Sequence, residues 1–393
     1  MRKMLAIFLA AMLTVLCCSA AFAEETPRKG GELVVAMSFE PDTMNVYATH
    51  LMGDIQAMVV EGLLVPNGDM EYEPVLATEV PTVENGGIVM NDDGTMDITY
   101  HLVDNVYWHC GEKFTSHDVL VTWQTLHDEA WDCESKDGVY DIDSIECPDD
   151  LTVVCHYNTV TPDFAQTLFT FGIMPAHDIE GADMNDPNNA YNSSPCGTGP
   201  YKFVEWNAGE NIKLTRNENY WREGAYMDGV TILFVPDENT RITMLKAGEI
   251  DFTAGISYIN YEQVKDLPGY NTVIHGLNSW RYLTMNWKTP GLDDVNVRRA
   301  ISCAIDKDSL VNQLFAGLPT AWDQPWMPTD PYHVDGFTSE WSYDVDKANA
   351  LLDEAGYTLG ADGVRVNADG TRLEFTLITR TGQTDVILAA QVV

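Results

Sequence analysis

The chain has 393 residues, 45% hydrophobic and 10% aromatic, which is enough apolar side chain to bury more than one core and excludes a disordered protein. Its 60 acidic and 22 basic side chains leave a formal charge of −38, which excludes nucleic acid and anionic lipid surfaces as partners, since both would be repelled. Solubility accounts for that balance without a cationic ligand.

Arg2 and Lys3, the apolar run Met4–Leu16 and the small-residue site Ala21-Phe22-Ala23 read as an export leader, expected to be removed before Glu24. The run is too short to span a bilayer, and no later stretch reaches about 18 apolar residues. Cys17 follows Leu16 and Cys18 follows Cys17, so the small residue that precedes an acylated cysteine is missing. Gly30-Gly31 opens into a strand at Glu32–Met37, and Met96–Leu102 alternates at period two as a half-buried strand should. Thr115-Ser-His-Asp118 forms a capping-box start to a helix carrying Val119, Leu120, Trp123 and Leu126. Tyr201–Trp206, Asn207–Gly209 and Ile212–Arg216 predict strand, turn and strand. Val230–Val235 is another strand, Glu238–Ala247 a helix stopped by Gly248, and Ile250–Phe252 a short strand. A helical face starts at Val295 with Ala300, Ile301, Ala304 and Ile305; Asp344–Ala355 makes a helix closed by Gly356, and Leu373–Ile378 a strand. Interleaved strands and helices with no internal repeat predict a mixed α/β protein of two packed lobes.

Cys110, Cys133, Cys147, Cys155, Cys196 and Cys303 are an even count, expected to form one to three disulfides in an oxidising compartment. Cys147 and Cys155 flank the turn at Pro148-Asp149-Asp150, but six cysteines allow 15 pairings. No CxxC pair, GxSxG elbow, HExxH, P-loop or GxGxxG is present, so no catalytic residues, metal site or cofactor are expected. His109, His117 and His127 with Cys110 lack the spacing of a metal site on one helix, and Asp149-Asp150 and Asp293-Asp294 read as turn or cap residues.

Three blocks carry a resemblance: Cys196-Gly-Thr-Gly-Pro-Tyr-Lys-Phe-Val-Glu-Trp206, Leu214-Thr-Arg-Asn-Glu-Asn-Tyr-Trp221 and Met244-Leu-Lys-Ala-Gly-Glu-Ile-Asp-Phe252. With Gly30–Val35, Thr99–Gly111, Phe114-Thr115, Asp118-Val119, Val297–Ile301 and Ala304–Asp306 they run in order along the chain. This series resembles the family 5 extracellular solute-binding proteins, the dipeptide, oligopeptide and nickel-binding group of ABC importers. Gly197 and Gly199 read as positions of backbone geometry forbidden to other residues, and Tyr220-Trp221 as buried aromatic area.

The resemblance implies a type II periplasmic-binding-protein fold of the large peptide-binding kind. Residues 24–60 and 176–278 would form the first lobe, residues 61–175 a domain inserted into it, and residues 279–393 the second lobe. Family members run longer, so that lobe is expected to be incomplete and the chain to be truncated. Ligand would sit between lobes that close by hinge motion. The implied ligand is a peptide or another small solute; relatives also carry nickel complexes, haem and oligosaccharides. The other implied partners are ABC permease subunits, with the protein a monomer in the periplasm or on the outer face of the cytoplasmic membrane. Backbone at His50, Leu51 and Met52 would be joined by the peptide as an added strand. Arg281 could fork onto a carboxylate, Tyr282 could line the pocket, and Asn286 matches a recurrent family asparagine; Trp131 and Tyr140 could reach the ligand too. The rival readings are a secreted hydrolase, and a sensor partner or chaperone of the same fold.

Overall fold

The computed structural model describes residues 29–49, 53, 55–69, 71–162, 164, 168–274, 279–328, 330, 332–379 and 384–393. The leader over residues 1–23 and the candidates His50, Leu51 and Met52 lie outside the described residues. The chain divides into two compact units, one of residues up to 65 with 72–234 and one of 66–71 with 235–393.

The first unit carries β1 (Glu32–Met37), β2 (Leu64–Pro66), β3 (Tyr72–Pro74), β4 (Ile88–Met90), β5 (Met96–His101), β6 (Ile142–Asp149), β7 (Thr152–Tyr157), β8 (Tyr201–Asn207), β9 (Asn211–Arg216) and β10 (Gly229–Phe234). In one sheet β1 runs parallel to β10, which is antiparallel to β9, which is antiparallel to β8. The expected hairpin at 201–216 is therefore present, and Gly209 turns it at φ +76, a conformation that costs other residues free energy. A second, antiparallel sheet has the order β4-β5-β7-β6. Its β5 shows the predicted period of two, with Met96, Ile98 and Tyr100 buried. On the other face Asp97 accepts a 2.7 Å bond from His156, its register partner on β7, and that bond holds the Asp97 carboxyl below its usual range.

The helix Ser116–His127 starts where the capping box predicts, with Thr115 N–H donating to Asp118 Oδ2 at 2.8 Å. Asp118 Oδ1 also accepts from the Ala176 N–H at 2.9 Å, which ties the helix to the short helix Ala176–Ile179. Burial pushes that carboxyl up. Val119 and Leu126 pack with Ile98 and Tyr100 of one sheet and Ile212 and Ile232 of the other in a continuous core.

In the second unit the helices Glu238–Ala247, Val295–Ala304, Lys307–Leu314 and Val345–Glu354 each start at an aspartate, Asp237, Asp294, Asp306 and Asp344, whose side chain accepts a first-turn N–H. Gly248 at φ +71 and Gly356 at φ +82 end the first and last, as predicted. Ala300, Cys303, Ala348 and Leu351 pack together between the helices at 295–304 and 345–354. Asp149 Oδ1 accepts from the Leu151 N–H and Asp293 Oδ1 from the Gly291 N–H, so these carboxylates are the turn residues they were read as.

Two strand expectations shift. The strand read at Ile250–Phe252 is Phe252–Thr253; Ile250 is buried before it, with its carbonyl accepting from Tyr270 Oη at 2.8 Å. Leu373–Ile378 is not a strand among the described residues; Leu373 N–H bonds to Arg365 O, and Phe375, Leu377 and Ile378 are exposed. Apolar alternation marks a strand only where a neighbour supplies hydrogen bonds.

Candidate functional site

Glu61 is the node of the first unit's motif residues. Its side chain is 6% exposed and takes hydrogen bonds from Thr198 Oγ1 at 3.0 Å, Tyr220 Oη at 2.6 Å and Trp221 Nε1 at 3.1 Å, with Arg222 Nη2 at 3.3 Å. The Arg222 guanidinium also lies 5.0 Å from the Trp221 ring centroid. Thr198 and the Tyr220-Trp221 pair therefore serve a buried carboxylate, a role beyond the aromatic area expected of the pair. Sequence reasoning missed Glu61 because it stands far from both blocks, in a stretch without a local signal.

Gly197 and Gly199 are required for a reason other than the one expected. Neither occupies the left-handed region. A Cβ on Gly197 would stand 1.8 Å from the Val59 carbonyl oxygen, and one on Gly199 2.6 Å from that of Met58. The Gly199 N–H donates to Val59 O at 3.0 Å, so two backbones approach too closely for a side chain.

His109 locks the same loop. Its N–H donates to Gly197 O at 2.9 Å, its Nε2 lies 3.0 Å from Gly199 O, and its Nδ1 accepts from the Gly197 N–H at 3.3 Å. Burial lowers its pKa to about 4, and the neutral tautomer with Nε2–H satisfies both ring contacts. His117 stands 3.5 Å from Glu180, and the His127 ring packs 5.2 Å from Trp123. The three histidines are thus dispersed, and Cys110 meets other residues: its Sγ lies 3.3 Å from His177 Nε2, and Cys196 Sγ completes a group within 4.8 Å.

Trp131 is buried and walls a cavity of about 270 Å³ with Gln124, Asp128, Met184 and Asn185. Tyr140 is exposed, with its ring centroid 5.3 Å from that of His127.

In the second unit Tyr282 is 74% exposed, its ring 6.3 Å from that of exposed Trp280, and Trp287, further along the chain, is exposed as well. Between Trp280 and Tyr282 in sequence, Arg281 Nη2 donates to Asp385 Oδ2 at 2.6 Å, an ion pair in which the arginine side chain is 53% and the aspartate 11% exposed. The fork has five N–H donors, so a second carboxylate could be gripped by the rest. Asn286 is exposed, and its Oδ1 accepts from the Lys288 N–H, a turn-closing bond. Trp280, Trp287 and Asp385 escaped sequence reasoning, Asp385 because its partner lies 104 residues away.

The chain as a whole is similar to known proteins. The model of the bacterial extracellular solute-binding proteins, family 5 Middle, matches residues 71–393. The oligopeptide-binding protein AppA of Bacillus subtilis is 28% identical over 366 residues, covering 91% of this chain and 65% of the relative. The chain therefore spans just under two thirds of that relative, and 61% of protein XP55 of Streptomyces lividans, which is 30% identical over 355 residues. Among solved structures, AppA in complex with a nonapeptide superimposes with a TM-score of 0.77 at 26% identity, covering 93% of this chain and 72% of that one. NikZ from Campylobacter jejuni in complex with Ni(L-His) gives 0.81 at 26% identity, covering 92% and 70%. The fold is the α/β type II periplasmic-binding-protein fold, and the chain belongs to the bacterial extracellular solute-binding proteins, family 5.

Proposed function

We propose that the chain is the solute-binding subunit of an ABC importer, which captures peptides or similar small solutes outside the cytoplasmic membrane and delivers them to membrane permease subunits. The observation that carries this reading is the likeness, along 93% of the chain, to a structure of AppA that holds a nonapeptide. The cycle is binding and release without reaction or cofactor, by a monomer in the periplasm or on the outer face of the membrane. Residues 24–60 and 176–278 make the first lobe, 61–175 the inserted domain and 279–393 the second lobe. In support, β1 and β8–β10 share a sheet although the whole β4–β7 sheet lies between them in sequence. The exposed Trp280 and Tyr282 on either side of Arg281 in sequence suit a peptide, whose side chains stack on aromatic faces and whose carboxylate accepts from guanidinium. Trp131, Tyr140 and Asn286 remain candidate contacts, and backbone at residues 50–52 the candidate strand-pairing edge.

Native mass spectrometry of the chain purified from an exporting host tests the function. Folded protein is expected to carry peptide-mass adducts that denaturation releases intact. Bare protein that also takes up no member of a peptide library would sink the peptide reading, and adducts released as cleavage products would favour the hydrolase. Arg281→Ala is expected to weaken peptide affinity about 10-fold or more, the loss of a charge-assisted hydrogen bond. Titration calorimetry beside a thermal melt separates this from the lost Asp385 pair; unchanged affinity would remove Arg281 from the site.

A further inference from the structure

We propose that Cys110, His177 and Cys196 form a binding site for a zinc-type d-block cation, an inference independent of the solute-binding reading. The three ligand atoms lie within 4.8 Å of one another, with Cys110 Sγ 3.3 Å from His177 Nε2. Two sulfurs and one imidazole nitrogen are the donor set that borderline-soft cations select.

The surroundings fit a cation better than a simple pair of thiols. His177 Nε2 faces Cys110 Sγ while its Nδ1 lies 3.5 Å from Glu112 Oε2, within reach of the contact by which a carboxylate orients a metal-binding histidine. Asp178 Oδ1, 3.9 Å from Nε2, is close enough to supply or hydrogen-bond a fourth ligand.

The site is also built on fixed backbone. Cys110 sits in a turn closed by the Gly111 N–H on Trp108 O at 2.8 Å. Cys196 precedes Gly197, which is bonded to His109 through both backbone and ring. His177 follows Ala176, whose N–H is held by buried Asp118, and its ring packs edge-on to Trp108 at 6.1 Å. Two loops and a short helix are thus positioned before any ion arrives, which lowers the ordering cost of binding. Binding displaces the two thiol protons to solvent, because a coordinating thiol is deprotonated by the cation. Cys110 is exposed, so the ion has an entry path.

The test titrates the purified, thiol-reduced chain with Co(II) and then displaces it with Zn(II). The expected result is one Co(II) per chain, with a near-ultraviolet sulfur-to-cobalt band that Zn(II) abolishes. Cys110→Ser and Cys196→Ser should each weaken binding by more than about 100-fold, and Glu112→Gln by about 10-fold, as expected for an orienting carboxylate. Cys303→Ser, in the other unit, should change nothing. Circular dichroism checks folding, and if a cysteine variant does not fold, His177→Gln carries the test. No stoichiometric band, a band that survives the loss of both Cys110 and Cys196, or a Cys110–Cys196 disulfide in peptide maps of the chain isolated from an exporting host would each overturn the proposal.

Discussion

Gly197→Ala is expected to cost more than about 3 kcal/mol and to leave little folded protein at 37 °C. The new Cβ would meet Val59 O at 1.8 Å and the Val59 carbonyl carbon at 2.6 Å. A flexible side chain could turn away, whereas this obstacle is backbone. It is also anchored backbone, because Val59 N–H bonds Gln56 O, and Val59 O is the acceptor for Gly199 N–H. Relief requires moving the loop at 197–199 off Val59, which also removes His109 from its two glycine partners and Thr198 from Glu61. Gly199→Val should do comparable damage, through a contact of 2.6 Å to Met58 O and a larger side chain. Gly209→Ala is the control: its Cβ meets nothing within 4 Å, so only the cost of φ +76 remains, about 1 kcal/mol. Urea midpoints at constant slope measure all three. A Gly197→Ala chain as stable as the Gly209→Ala chain would show that the backbones do not meet this closely.

Much of this fold was legible in the sequence because its signals are local. Thr115 with Asp118, Asp344 with Gly356, and Glu238–Ala247 with Gly248 bracket helices by rules that need only a few neighbouring residues. The hairpin at 201–216 and the alternation of Met96, Ile98 and Tyr100 are equally self-contained. Leu373–Ile378 shows the limit, since a strand depends on a partner that no window contains. The candidate sites depend on distant residues more strongly still. Arg281 was nameable as a group that could fork onto a carboxylate, but its ion pair with Asp385 was not readable. Cys110 was visible as a thiol beside histidines, yet the histidine that approaches it is His177, 67 residues on. Gly197 was recognisable as special, but the reason, a close approach to Val59, exists only in three dimensions.

The largest effect of removing a polar group is expected at Glu61. Glu61→Ala deletes the acceptor shared by Thr198, Tyr220, Trp221 and Arg222. Thr198 is 1% exposed, so its hydroxyl cannot recover the bond from solvent, and a stranded buried donor costs about 1–3 kcal/mol. Tyr220 and Trp221 are half-buried and regain part of their loss from water, while Arg222 is exposed enough to be rehydrated. A total of about 3 kcal/mol follows, most of it from Thr198 and the two aromatic donors rather than from the ion pair. Glu61→Gln separates the contributions: the amide oxygen can still accept from one or two donors, but its NH₂ faces the others as a donor. It should therefore fall between wild type and Glu61→Ala. Thr198→Val, which removes a hydroxyl and keeps the shape, should lose most of its effect in a Glu61→Ala background, because the two then share one interaction. Equal and additive losses in that cycle would mean that Glu61 acts through packing and not as the common acceptor of the motif residues.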